Sequence, residues 1–192
     1  EQHIDRLFRS LHQIFIDLPM THFELMTVIK ETLARNSHKE AIIRLTVTRG
    51  NTEANIQIDT DIPPTLVVNI RAFTPLSKSA YKKGKKIMLF QERAFSTSVL
   101  TRRLKSCNYL SNILIKKLSY EKGFMEGVVI DPIFGVTEGT TSNVFIVTQG
   151  ILKTPPLSPF VLDGITREVV IEIANEHKIP FLEERINLED LL

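Results

Sequence analysis

An α+β fold with mixed sheets is predicted by three observations. Helical periodicity opens the chain and returns at residues 108–122 and 164–177, with short strand-like runs between. Helices and strands do not alternate at the spacing of regular βαβ units. No G-x-G-x-x-G motif is present, which argues against a dinucleotide-binding Rossmann fold.

The elements follow in order. Ile4, Leu7, Phe8, Leu11, Ile14 and Phe15 recur at helical spacing, so residues 2–16 should form an amphipathic helix that Pro19 ends. Thr21 and Glu24 have capping-box spacing and should open a second helix running to about Asn36. Strand patterns cover 41–48, 65–72 and 86–91, with turns at 49–51 and 62–64. Residues 92–104 carry no clear period and should connect two domains, 1–95 and 96–192. Gly123 should stop the helix of 108–122, and strands should follow at 126–131, 135–138 and 143–148. Gln149-Gly150 reads as a hairpin turn. Asp163 should cap the helix of 164–177, with Val169, Val170, Ile173 and Ala174 inward. A strand near 181–186 closes the set, and no internal repeat appears.

The chain has 192 residues, 24 Lys and Arg against 22 Asp and Glu, and a formal charge of +2, which implies no acidic partner. Lys82, Lys83, Lys85 and Lys86 flank Gly84; no aromatic residues interleave them, so they read as a solvated turn rather than a nucleic-acid patch. Cys107 is the single cysteine, which excludes a disulfide framework and fits a reducing, cytoplasmic setting. No apolar run is long enough to span a bilayer, and no signal-peptide pattern is present, so no membrane role is expected. The start at Glu1, inside a helical pattern, reads as a fragment. Five scattered histidines lack metal-ligand spacing, so no metal is expected. Neither a G-x-S-x-G elbow nor a P-loop occurs.

Chemistry concentrates in three places. Lys105 lies in R-R-L-K-S-C-N-Y-L at a loop-to-helix junction, among small and apolar neighbours that could desolvate it. Desolvation lowers a lysine pKa and frees the amine for imine formation; the bland alternative is a surface lysine. Glu138 precedes Gly139-Thr140-Thr141-Ser142-Asn143. It reads either as a turn or cap partner or as the hydrogen-bond partner of a protonated ring nitrogen. Gly164-Ile165-Thr166 opens a helix, where unpaired N–H groups and a hydroxyl suit an anion. The next residue, Arg167, could instead point to solvent. Arg6, polar in an otherwise amphipathic helix, reads as a surface ion pair with Asp5 or Asp17 or as a phosphate clamp. An amine, a carboxylate and an anion cradle together are what pyridoxal 5′-phosphate (PLP) requires of a protein.

Several segments, in order, make the sequence resemble the class IV aminotransferases, the fold-type IV PLP enzymes. They are E-Q-H-I-D-R-L-F-R-S, I-R-L-T-V-T-R-G, L-K-S-C-N-Y-L, V-T-E-G-T-T-S-N-V-F, T-P-P-L and L-D-G-I-T-R. The resemblance implies a two-domain α+β fold like that of D-amino acid aminotransferase, truncated here at both ends. It implies Lys105 as Schiff-base lysine and proton carrier, and Glu138 on the pyridine nitrogen. Arg6, Gly164, Ile165 and Thr166 would hold the phosphate, and Leu162 would pack on the ring. Tyr109 would sit near the ring hydroxyl, at a spacing one residue off the branched-chain pattern, and Thr141 near the substrate.

A homodimer with its site at the domain interface is implied as well. The D-amino acid enzymes carry Arg-x-His after V-T-R-G; here residues 51–55 are Asn-Thr-Glu-Ala-Asn, which counts against D-amino acid specificity. The implied activity is amino transfer between an amino acid, branched-chain by preference, and 2-oxoglutarate. The stretch R-L-K-S-x-x-Y-L-x-N also resembles aminodeoxychorismate lyases, which release pyruvate and 4-aminobenzoate. A non-catalytic remnant of the fold is the third reading.

Overall fold

The structure, a computed structural model, describes residues 1–51, 62–91 and 104–191. It falls into two compact units, Glu1–Lys78 and Ser79–Leu192. The expected domain junction at 95–96 lies outside the described residues, as does the expected connection except for Leu104.

In the first unit, α1 (Gln2–Gln13) and α2 (His22–Ala34) are followed by β1 (Ala41–Thr48) and β2 (Thr65–Ala72). The strands pair antiparallel, in register from Ala41 opposite Ala72 to Thr48 opposite Thr65. α1 ends short of the expected residue 16, because Phe15 takes a left-handed φ of 56°. Arg49, at the end of β1, donates to the Ile14 carbonyl and, at 3.1 Å, to the Phe15 carbonyl. The chain reversal is therefore tied down before Pro19 is reached. α2 opens as expected, with the Thr21–Glu24 capping box formed in both directions. Gly50 needs to be glycine: its φ is +104°, and a Cβ there would lie 2.3 Å from the Pro63 carbonyl oxygen. Ile4, Leu25 and Ile29 form the core, with Leu45, Leu66 and Val68 of the hairpin packed against them.

A short helix, α3 (Lys78–Lys83), starts at the boundary between the units. The lysine cluster lies on it and on the exposed turn around Gly84, whose φ is +68°.

The second unit contains β3 (Ile87–Gln91), α4 (Leu110–Glu121), β4 (Glu126–Asp131), β5 (Gly135–Gly139), β6 (Ile146–Thr148), β7 (Ile151–Thr154), α5 (Ile165–Glu176) and β8 (Phe181–Glu183). A 3-10 turn at Leu188–Leu191 follows. Among the described residues these strands form two mixed sheets. β3 pairs parallel with β4 and β4 antiparallel with β5. β6 pairs antiparallel with β7, and β7 parallel with β8. Gln149 and Gly150 form the expected hairpin turn, both with positive φ (51° and 77°). Asp131 accepts from the N–H groups of Ile133 and Phe134, at 2.7 and 3.0 Å, and shapes the β4–β5 turn. Val128, Ile130, Val136 and Ile186 form the core of this unit.

Four expectations needed correction. β6 begins at Ile146 rather than 143, because Asn143 makes only an isolated bridge to Glu138 and the Val144 carbonyl is taken by the Thr154 hydroxyl at 2.7 Å. β8 ends at Glu183 rather than 186, because the Ile186 carbonyl turns to accept from the Val136 N–H at 2.8 Å. The cap of α5 is Gly164 rather than Asp163, with no side-chain cap hydrogen bond. On α5, Ala174 is buried as expected and Val170 is half-buried, but Val169 and Ile173 are exposed, and Ile165 and Arg167 are buried in their place.

Leu25 is fully buried in the first unit. Leu25→Ala should destabilise that unit by roughly 2–5 kcal/mol, measured as a shift of its denaturant midpoint at unchanged slope.

Candidate active site

A cavity within the second unit is lined by the chain before α4, the first turns of α4, the end of β5 and the segment leading to α5. Lys105, Tyr109, Glu138, Thr141 and Leu162 all line it, so five of the expected residues come together. Gly164, Ile165 and Thr166 lie just beyond Leu162, where they start α5. Arg6 belongs to the first unit, on α1.

Lys105 directs its Nζ at the Tyr109 hydroxyl, 3.0 Å away, one helical turn ahead of the start of α4. It is exposed, not desolvated as its neighbours suggested, because its segment lies at the surface. Tyr109 itself is the N-cap residue of α4.

Glu138 is the penultimate residue of β5. The strand ends in a tight turn closed by the Gly139 N–H donating to the Ser142 carbonyl at 2.7 Å, and Glu138 bridges to Asn143 across it. Burial pushes the Glu138 carboxyl up to about 7, against the Leu162 N–H and the charge of Lys105, which both favour ionisation. That N–H donates to Oε2 at 2.8 Å and is the one hydrogen-bond donor to Glu138 among the described residues. A ligand in the cavity thus meets a carboxyl group poised between its two protonation states at neutral pH.

Glu126, on the neighbouring strand, behaves in the opposite way. Burial raises its pKa, but hydrogen bonds from Thr140, Lys116 and the Gly127 N–H outweigh burial, and the pKa falls below the usual carboxylate value. Its carboxylate accepts from the Thr140 hydroxyl at 2.5 Å, the Thr141 hydroxyl at 3.4 Å and Lys116 at 2.9 Å. Asn112 of α4 donates to the Thr140 carbonyl at 2.7 Å. The turn carrying Thr141 is thereby held to α4 and β4.

Two further residues fix the start of α5. Asn143 Nδ2 donates to the Leu162 carbonyl at 2.9 Å. Arg167, for which a solvent-facing orientation was one alternative, is buried: its Nη2 donates to the Pro155 carbonyl at 3.1 Å and pairs with Glu183 at 2.5 Å. The start of α5 has no side-chain cap, as an anion cradle requires. Arg6 is also buried, and its Nη2 lies 3.4 Å from His3 Nδ1. Asp5, the ion-pair partner considered for it, contacts His22 at 3.1 Å.

Glu126, Asn112 and Asn143 carried no assigned role in the sequence reading. Asn143 was visible only as the last letter of E-G-T-T-S-N, and its partner is 19 residues away.

The family described as amino-transferase class IV matches residues 1–192. The chain belongs to this family. A Methanocaldococcus jannaschii protein provisionally named a branched-chain-amino-acid aminotransferase is 38% identical over 191 residues, covering 100% of this chain and 65% of that protein. The D-alanine aminotransferase of Bacillus licheniformis is 30% identical over 193 residues, covering 100% of this chain and 66% of that protein. The branched-chain aminotransferase of Thermoproteus uzoniensis, solved with norvaline, superposes with a TM-score of 0.86 at 32% identity, covering 99% of this chain and 63% of that one. This class IV chain thus spans about two thirds of the length of the relatives it matches. Among the described residues, no helix is long and apolar enough to cross a membrane.

Glu138 gives a direct test of the cavity. In the ligand-free protein, carboxyl ¹³C NMR should place its midpoint near 7. The raised value also fixes a sign. Below pH 4.5 the group is protonated whether folded or unfolded, and as pH rises through about 7 its ionisation in the cavity costs stability. Wild type should therefore lose thermal stability relative to Glu138→Gln across that window; parallel melting curves would count against a buried Glu138.

Proposed function

We propose that the full protein is a PLP-dependent aminotransferase, exchanging an amino group between a branched-chain amino acid and 2-oxoglutarate. The observation that carries this reading is one cavity holding an amine (Lys105) and a carboxyl group with its pKa near 7 (Glu138), with the uncapped start of α5 two residues beyond its Leu162 wall. The residues fit the cofactor by donor type: Lys105 offers an amine, Glu138 a partner for a ring N–H, and Ile165 and Thr166 the N–H groups and hydroxyl of a helix start.

When bound, PLP supplies an electron sink for charge developing at the substrate Cα. Lys105 Nζ takes the Cα proton and returns it, the step that distinguishes transfer from mere binding. The Tyr109 hydroxyl, 3.0 Å from that nitrogen, orients it. Glu138 would hold the ring nitrogen in its protonated form, and its raised pKa means that a cationic partner would restore its ionised state. Leu162 would lie against the ring, and Thr141, whose hydroxyl donates to Glu126, would face the substrate. For Arg6 we propose the phosphate contact that the family resemblance implies.

The missing Arg-x-His after V-T-R-G and the 38% identity to the Methanocaldococcus jannaschii protein favour a branched-chain substrate over a D-amino acid. Homodimerisation in the cytoplasm completes the reading. Leu110, Ile113 and Leu114 of α4, exposed among the described residues, support a covering partner, and the exposed Cys107 thiol suits a reducing compartment.

Purified full-length protein mixed with PLP should turn yellow. Borohydride reduction followed by mass spectrometry should then place a pyridoxyl mass on the Lys105 peptide, and Lys105→Ala should show neither. Glu138→Gln should keep the pyridoxyl label but lose turnover by roughly 10²-fold or more. Leucine with 2-oxoglutarate should give glutamate. Pyruvate released from aminodeoxychorismate without an amino acceptor would instead assign the lyase, whose motif R-L-K-S-x-x-Y-L-x-N the chain also carries. A colourless protein that takes up no PLP would leave the non-catalytic reading.

A further inference from the structure

Leu162 is held in an unusual way. Its N–H donates to Glu138 Oε2 at 2.8 Å, and its carbonyl accepts from Asn143 Nδ2 at 2.9 Å. Both partners are side chains, and both rise from the two ends of one closed turn, where Glu138 and Asn143 pair as an isolated bridge. The turn is closed by the Gly139 N–H, which donates to the Ser142 carbonyl at 2.7 Å. Asn143 also reaches past Leu162. A Cβ on Gly164, the N-cap of α5, would lie 2.0 Å from Asn143 Oδ1, so the amide lies directly against the first residue of the helix start.

We propose that Asn143 is the positioning residue of this site: its grip on Leu162 keeps the Leu162 N–H on Glu138 and sets the place of the α5 start. An amide does not titrate and here touches neither the Lys105 amine nor the Glu138 carboxylate through its side chain in any hydrogen bond among the described residues. It acts through three residues of backbone on two groups: the cavity's carboxyl group, which would face the ring nitrogen, and the α5 start just beyond the cavity, the anion cradle. The distance between them is a property the cofactor imposes, so this inference rests on the reading of a PLP site given above. Its physical content is independent of that reading. If the Asn143 bond is lost, Leu162 is free to move, and the N–H that favours ionised Glu138 goes with it.

Two neutral variants of the full-length protein separate positioning from packing. Asn143→Leu keeps a similar branched shape and removes the donor; Asn143→Ala removes both. Neither adds charge beside Glu138. Carboxyl ¹³C NMR of the ligand-free proteins reads the Glu138 midpoint, and melting curves report folding. In both variants the Glu138 proton affinity should rise on the order of tenfold, as expected for loss of one hydrogen bond to a charged group. PLP affinity, read by fluorescence quenching, should weaken in both. A folded Asn143→Leu that titrates Glu138 at the wild-type midpoint overturns the proposal, because shape alone then suffices. If Asn143→Leu does not fold, an unshifted midpoint in Asn143→Ala overturns it equally. Wild type that binds no PLP defeats the cofactor reading, whereas the Glu138 midpoints still decide the role of Asn143.

Discussion

A carboxylate taken out of water must be compensated or must hold its proton, and much of the second unit is arranged around that constraint at Glu138. Burial there is incomplete in its compensation: one backbone N–H and a lysine at a distance do not offset it, so the group sits near neutrality in pKa. Twelve residues earlier in the chain, Glu126 receives a full set of donors and stays ionised. Two acids on adjacent strands therefore play different parts. One anchors a turn, and the other is left with unused capacity that a ligand can meet.

The turn between them converts this contrast into geometry. Gly139 to Ser142 is closed by its own backbone and fastened from outside by Glu126 and Asn112. From that fixed base Glu138 and Asn143 reach across to the segment entering α5. The helix start, which supplies free N–H groups by its nature, is thus registered to the carboxyl group rather than placed by its own cap. Lys105 and Tyr109 approach from the α4 side and are joined to each other.

Features that depend on near neighbours in the chain were legible from sequence. The Thr21–Glu24 box formed as spaced, Gln149-Gly150 turned as its residue types require, and Gly123 follows α4 with a φ of 79°. Lys105 and Glu138 were legible as chemistry and Leu162 only through the family resemblance, and the three share a cavity. What failed depended on distant partners. Asp163 had every local reason to cap α5, but Gly164, which lies against Asn143, takes the cap position instead. Val169 and Ile173 matched an inward helical face, while the buried positions that were realised include a charged one, Arg167, whose Nη2 is bound to Pro155 and Glu183. Hydrophobic periodicity has no means of announcing a buried guanidinium whose partners are 12 and 16 residues away.

That guanidinium shows a lack of symmetry. In the Arg167–Glu183 pair the arginine side chain is 3% exposed and the glutamate 42%, so the cation is interior and the anion is at the rim. The arginine also serves a neutral oxygen, that of Pro155. Swapping the two residues would preserve the formal pair but set a carboxylate against a carbonyl oxygen, acceptor facing acceptor, with no donor to separate them. Charge complementarity between α5 and β8 therefore has a direction. The helix carries the donor and the strand the acceptor, so exchanging the two residues does not conserve the pair.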